Sequence, residues 1–146
     1  MSIMVDYPIE VSATAEAEKS GDGWHLNTDE NLKTDMSLPE EFGRSSETPS
    51  PEDLFNASVM SCVIATFKSI AERQDLDYES IKTEAESVLD RGKDTRPVIT
   101  ESSIEVTVRG VNEDEKAERA VSATRKNCFI HNSVKTDVQI DFSFSK

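Results

Sequence analysis

The sequence predicts an α+β fold in which antiparallel sheets wrap around one buried helix. Three observations carry it. Runs near both ends of the chain alternate apolar and polar residues at the strand period of two. The stretch from Leu54 to Phe67 is apolar or small nearly all round, the pattern of a buried helix. Between that helix and a second, amphipathic one lie two more alternating runs. The predicted order is βββ-α-ββ-α-β, and residues 1–146 are expected to form one domain.

The first strand is expected over Val5 to Ala17. Val5, Tyr7, Ile9, Val11, Ala13 and Ala15 share one side; Asp6, Glu10, Ser12, Thr14 and Glu16 share the other. Gly21-Asp22-Gly23 signals a turn, and Trp24 and Leu26 open a second strand. After Asp29-Glu30-Asn31, residues Leu32, Thr34 and Met36 mark a third. Residues 37–50 read as a loop with Pro39, Gly43 and Pro49.

The central helix has clear start signals. Ser50 is a natural N-cap, Pro51 suits the first helical position, and Asp53 stands where a capping box places an acid. It should run to about Arg73. Alternating Ile81, Thr83, Ala85, Ser87 and Leu89 predict a strand, Arg91 to Pro97 a charged turn, and Ile104, Val106 and Val108 the next strand. Glu113 to Asn127 reads as a helix, acidic at its start and basic near its end. Ala117, Ala120, Val121, Thr124 and Cys128 share one face. Val134, Thr136, Val138, Ile140, Phe142 and Phe144 predict the last strand. The sequence contains no internal repeat and no low-complexity tract.

Composition narrows the function. Asp and Glu total 29 against 16 Lys and Arg, a net charge of −13. Such a surface repels nucleic acid and anionic membranes. The acids are spread along the chain, as in a solvated coat suited to a halophilic, salt-rich cytoplasm where screening is strong. An ordinary acidic protein is the alternative. The N-terminus lacks a basic start and an apolar stretch, so no signal peptide is expected. The uncharged run from Leu54 to Phe67 is short for a bilayer span. A soluble, cytoplasmic protein is expected, and there a lone pair of cysteines points to redox chemistry rather than a structural bridge.

Cys62 and Cys128 are that pair. Cys62 falls mid-way along the central helix among small residues; Cys128 ends the apolar face of the second helix. Both should point to the core, where two thiols 66 positions apart can meet. Each alone also fits a small buried hydrophobe. Two cysteines with His25 and His131, none at ligand spacing, make a poor zinc set, so no metal and no cofactor are expected. His25, His131 and Trp24 carry no site signal of their own. A nucleophilic thiol must be ionised, and burial alone opposes that, so Cys62 needs a nearby cation. Glu52, at the helix start, can hold such a cation in place or simply favour the helix dipole.

Several stretches resemble the OsmC/Ohr family. Pro49-Ser-Pro-Glu-Asp-Leu-Phe-Asn-Ala-Ser-Val-Met-Ser-Cys62 resembles the segment that opens its central helix and leads to its first cysteine. Phe67-Lys-Ser-Ile-Ala-Glu continues it. Leu89-Asp-Arg91 and Arg96-Pro97 resemble the family's middle. Glu115-Lys-Ala-Glu-Arg-Ala-Val, leading to Asn127-Cys128-Phe-Ile-His-Asn-Ser, resembles its second-cysteine region. The resemblance implies an intertwined homodimer and a thiol-dependent peroxidase acting on organic hydroperoxides in oxidative stress defence. Cys62 would attack the peroxide and become a sulfenic acid, and Cys128 would condense with it to a disulfide. A dithiol or lipoyl-type reductant would reopen that bond. Glu52 matches the family's acid that salt-bridges the thiol-activating arginine. In the Ohr branch that arginine lies in the turn between the first strands; the corresponding turn here, Glu18 to Gly23, holds only Lys19. Lys19, Arg44 and Arg96 are the candidate cations. The departure leaves a redox sensor and a small-molecule-binding dimer as alternative functions.

Overall fold

In the computed structural model, residues 6–28, 31–42 and 47–146 are described. The chain divides into two units, Ser2–Phe55 and Asn56–Lys146.

The first unit holds an antiparallel meander of β1 (Thr14–Glu16), β2 (Gly23–Thr28) and β3 (Leu32–Ser37). Thr14 faces Asn27, and Trp24 faces Met36. The expected first strand is much longer than β1. Tyr7, Ile9 and Val11 alternate as a strand should, yet they are 71%, 59% and 91% exposed. Strand periodicity reports a capacity to pair, and no described strand pairs with this stretch. After a short 3-10 helix at Glu40–Phe42, Ser50 and Asp53 form the capping box. The Asp53 N–H donates to Ser50 Oγ at 3.2 Å, and the Ser50 N–H donates to Asp53 Oδ2 at 2.9 Å. Two otherwise orphaned donors are thereby satisfied, which fixes where the helix begins.

That helix, α1 (Pro51–Arg73), crosses the boundary between units. The second unit also holds β4 (Ser80–Arg91), β5 (Pro97–Arg109), α2 (Asp114–Asn127), α3 (Phe129–Ser133) and β6 (Asp137–Ser145). The expected order βββ-α-ββ-α-β is present, with α3 added, and the fold is α+β. β4 and β5 form an antiparallel hairpin. β6 instead runs parallel to β5, with Ile104 opposite Ile140. Alternation fixes which face a strand buries but not its direction; the α2–α3 crossover is long enough to return the chain for parallel pairing.

In β5 and β6 the inward rows are those the alternation predicts, whereas in β4 Leu89, expected inward, is exposed beyond a register shift at Val88/Leu89. Ser102, Ile104, Val106 and Val108 of β5 are buried, as are Val138 and Ile140 of β6. α2 adds Ala117, Ala120, Val121 and Thr124. From α1, Val59, Val63, Phe67, Ile70 and Ala71 line one buried stripe. Phe67 is 0% exposed, with its ring centroid 5.4 Å from Tyr78 and 5.8 Å from Phe142. The opposite face of α1, with Ser58, Ser61, Ala65 and Ser69, is exposed in this chain. By length and composition α1 is apolar enough to cross a membrane, but its buried stripe is that of a core helix. Gly110 ends β5 at φ +79°, and a Cβ there would lie 2.6 Å from Glu79 Cγ, so the turn requires glycine.

Candidate functional site

The second unit brings the two cysteines together. Cys62 sits half-buried in the middle of α1, its Sγ 3.9 Å from the Thr66 hydroxyl one turn on. Cys128 is fully buried between α2 and α3. Its extended backbone (φ −73°, ψ 109°) ends one helix and starts the other. Local bonds fix that corner. The Asn127 amide donates to the Ala123 carbonyl at 2.8 Å, and Asn132 donates to the Lys126 carbonyl at 3.0 Å from its side chain and to the Cys128 carbonyl at 2.9 Å from its backbone. The corner turns the first amides of α3 toward the thiols.

The two sulfurs differ electrostatically. Burial pushes the Cys62 thiol up, but hydrogen bonds outweigh it and hold the thiol below the ordinary range. They come from the Ile130 backbone, the Cys128 thiol, the Thr66 hydroxyl and the Phe129 backbone. Cys128 moves the other way, to about 11, because burial and the facing Cys62 sulfur both disfavour its thiolate. One thiol is disposed to ionise, and the other to stay protonated and donate to it. That division suits a nucleophile and a second thiol that acts after it.

A direct check is the pH dependence of alkylation. A lowered pKa keeps Cys62 a thiolate further into the acid range, so its reaction with iodoacetamide should persist below the pH at which a free cysteine slows. Cys128 should resist until the pH nears 11. Mass spectrometry of peptides alkylated between pH 5 and 11 reads both; equal profiles for the two thiols would contradict the asymmetry.

Lys19 is exposed in the segment between β1 and β2. Arg96 is engaged in the β4–β5 turn by Asp94, through Nε at 2.7 Å and through Nη2. Arg96 in return holds the Asp94 carboxyl below its usual range. Arg44 lies outside the described residues. Glu52 stands in the first turn of α1, nearly three turns ahead of Cys62. Its Oε2 is buried and has no hydrogen-bond partner among the described residues. The groups lowering the Cys62 thiol include no basic side chain. Sequence reasoning sought a cation and missed the amides of Phe129 and Ile130. Every residue except proline carries a backbone N–H, and the corner at Cys128 is what aims these two.

Comparison with known proteins agrees with this architecture. Residues 43–143 match the family model described as OsmC-like protein. An uncharacterized protein of Acinetobacter baylyi is 29% identical over 139 residues, 91% of this chain and 93% of that protein. The solved structure of an OsmC-like protein of unknown function from Vibrio cholerae superposes with a TM-score of 0.84 at 21% identity, covering 93% of this chain and 100% of that one. That of an organic hydroperoxide resistance protein, OsmC, from Legionella pneumophila gives a TM-score of 0.77 at 24% identity, covering 97% and 100%.

Proposed function

Since the chain belongs to the OsmC-like protein family, we propose that it is a thiol-dependent peroxidase that reduces organic hydroperoxides through Cys62 and Cys128 in the cytoplasm. The observation that carries this reading is the pair of facing thiols with opposite shifts. The Cys62 thiolate attacks the terminal peroxide oxygen. The O–O bond breaks, the alcohol leaves, and Cys62 becomes a sulfenic acid. The Cys128 thiol then displaces the hydroxyl, which departs as water, and a disulfide forms. A dithiol or lipoyl-type reductant returns both thiols by exchange. The amides of Phe129 and Ile130 take the place of the arginine as the source of thiolate stabilisation, with Lys19 or Arg44 as further contributors.

The working unit in this reading is a homodimer. Tyr7, Ile9 and Val11 are an exposed apolar row suited to pairing with a second copy, and α1 has an exposed face of small residues. Glu52, with its unpartnered buried oxygen, is assigned to holding a cation near the site of the assembled dimer.

The test is turnover of cumene hydroperoxide by purified protein with dithiothreitol or dihydrolipoamide as reductant, with sedimentation of the same preparation. Catalytic consumption and a dimer mass are expected. Oxidation of both thiols without turnover would favour the redox sensor, because the same pair serves either role. A preparation whose thiols ignore the peroxide would refute both.

A further inference from the structure

Pro97 to Thr100 of β5 overhang the neighbouring strand. The pairing of β5 with β6 begins only at Glu101 opposite Asp137, whereas its pairing with β4 runs on to Arg91 opposite Pro97. The chain enters β6 through Lys135 and Thr136, which stand beside that overhang. The result is a cavity of about 560 Å³ at the tip of the β4–β5 hairpin. Small-molecule sites fall in a range of roughly 300–1,000 Å³.

Its lining is of two kinds. Val98 and Ile99 give an apolar floor, and Val98 is exposed, as is Leu89 opposite Ile99 in the hairpin. Arg91, Lys93 and Lys135 stand around that floor, with the hydroxyls of Thr100 and Thr136. No carboxylate lines the cavity. In a chain with 29 acids against 16 basic residues, that is an exception. Three other cavities of the chain each include acids: Glu16, Glu18 and Asp35 in one, Asp77 and Glu79 in another, Asp141 in the third.

The three cations have no acid of their own. Among the described residues none of them is in an ion pair. The acid of the turn, Asp94, is taken by Arg96 through Nε at 2.7 Å and through Nη2. Asp90 Oδ1 accepts from the Arg91 backbone N–H at 2.7 Å. The Gly92 N–H donates to the Arg96 carbonyl at 2.8 Å and the Thr95 N–H to the Gly92 carbonyl at 3.0 Å, which closes the turn. Arg91 Nη1 donates to the Thr95 carbonyl at 2.8 Å, so its guanidinium is anchored with other N–H donors to spare. Like charges gathered in this way repel one another, and a bound anion removes that cost. A phosphate monoester brings nearly two negative charges and three acceptor oxygens at neutral pH. The arginine fork matches its geometry, and lysines add point charges.

We propose that the hairpin tip binds a soluble organic phosphate, with the phosphate held by Arg91, Lys93 and Lys135 and the apolar part laid on Val98 and Ile99. The cavity includes neither cysteine. It is therefore a second ligand site, and it stands whether or not the thiols act as a peroxidase. A phospholipid headgroup has the same chemistry, but the net charge of −13 repels an anionic bilayer far more than it repels one small ligand.

The probe is hexyl phosphate, titrated calorimetrically into the whole chain near neutral pH. It should bind roughly tenfold or more tighter than inorganic phosphate, which lacks the apolar part, and than hexanol, which lacks the charge. The double variant Lys93→Glu/Lys135→Glu should weaken it by roughly tenfold or more, and Lys93→Gln/Lys135→Gln by less. Val98→Ser should narrow the preference for hexyl phosphate over inorganic phosphate. All these side chains are exposed, so urea midpoints should stay at the wild-type value. Equal affinities for the three probes would overturn the proposal, as would wild-type affinity in both lysine double variants. Flotation with phosphatidylglycerol vesicles tests the source: no co-flotation is expected, and vesicle binding that the double variants lose would overturn the soluble ligand in favour of a lipid surface.

Discussion

Serine in place of Cys62 is expected to cut hydroperoxide consumption to the buffer rate, a loss on the order of a thousandfold or more. A serine hydroxyl next to the Ile130 and Phe129 amides stays un-ionised near neutral pH, and it cannot form a sulfenic acid. Cys128→Ser should behave differently. Cys62 keeps the amides of Ile130 and Phe129 and the Thr66 hydroxyl, but exchanges the Cys128 thiol for a hydroxyl. The first oxidation should therefore proceed at a comparable rate, consume one equivalent of hydroperoxide per chain, and stop. A burst assay with cumene hydroperoxide, with mass spectrometry for the sulfenic acid, distinguishes the two variants. Unchanged steady turnover in Cys62→Ser would end the peroxidase reading.

The second large effect is on stability. Phe67→Ala should cost about 3–5 kcal/mol, because it removes a fully buried ring and leaves a cavity between α1 and the sheet. The ring packs edge-on against Tyr78 and at a tilt against Phe142, so the change strips contacts from the loop before β4 and from β6. Against a typical total of about 5–15 kcal/mol, such a loss leaves the protein marginal. Urea unfolding should show a lower midpoint with an unchanged slope. A loss below about 1 kcal/mol would mean that the site closes up when the ring is removed.

Much of the fold was legible because burial on one face leaves a mark at every second or every third and fourth residue. β5 shows it most plainly: Ile104, Val106 and Val108 are buried, and Glu105, Thr107 and Arg109 are exposed. The start of α1 was legible because a capping box is local chemistry, realised between Ser50 and Asp53. The direction of β6 was not, since parallel and antiparallel strands alternate alike. α3 was missed because Phe-Ile-His-Asn-Ser contains no strong helix former. The two thiols were legible as a pair on two inward helix faces. What tunes them was not: the donors are backbone amides, which leave no mark in a sequence.

The parallel pairing of β6 affects how the protein is made. β6 follows α3 and lies directly against β5, from Glu101 opposite Asp137 to Arg109 opposite Ser145. Its nine residues supply Val138 and Ile140 to the core and Phe142 to the ring cluster around Phe67. Until they leave the ribosome, the β5 edge of the hairpin is also unpaired and the stripe on α1 lacks part of its cover. The cysteine-bearing unit closes only once β6 has paired with β5, so its thiols stay open to oxidation until that strand is in place.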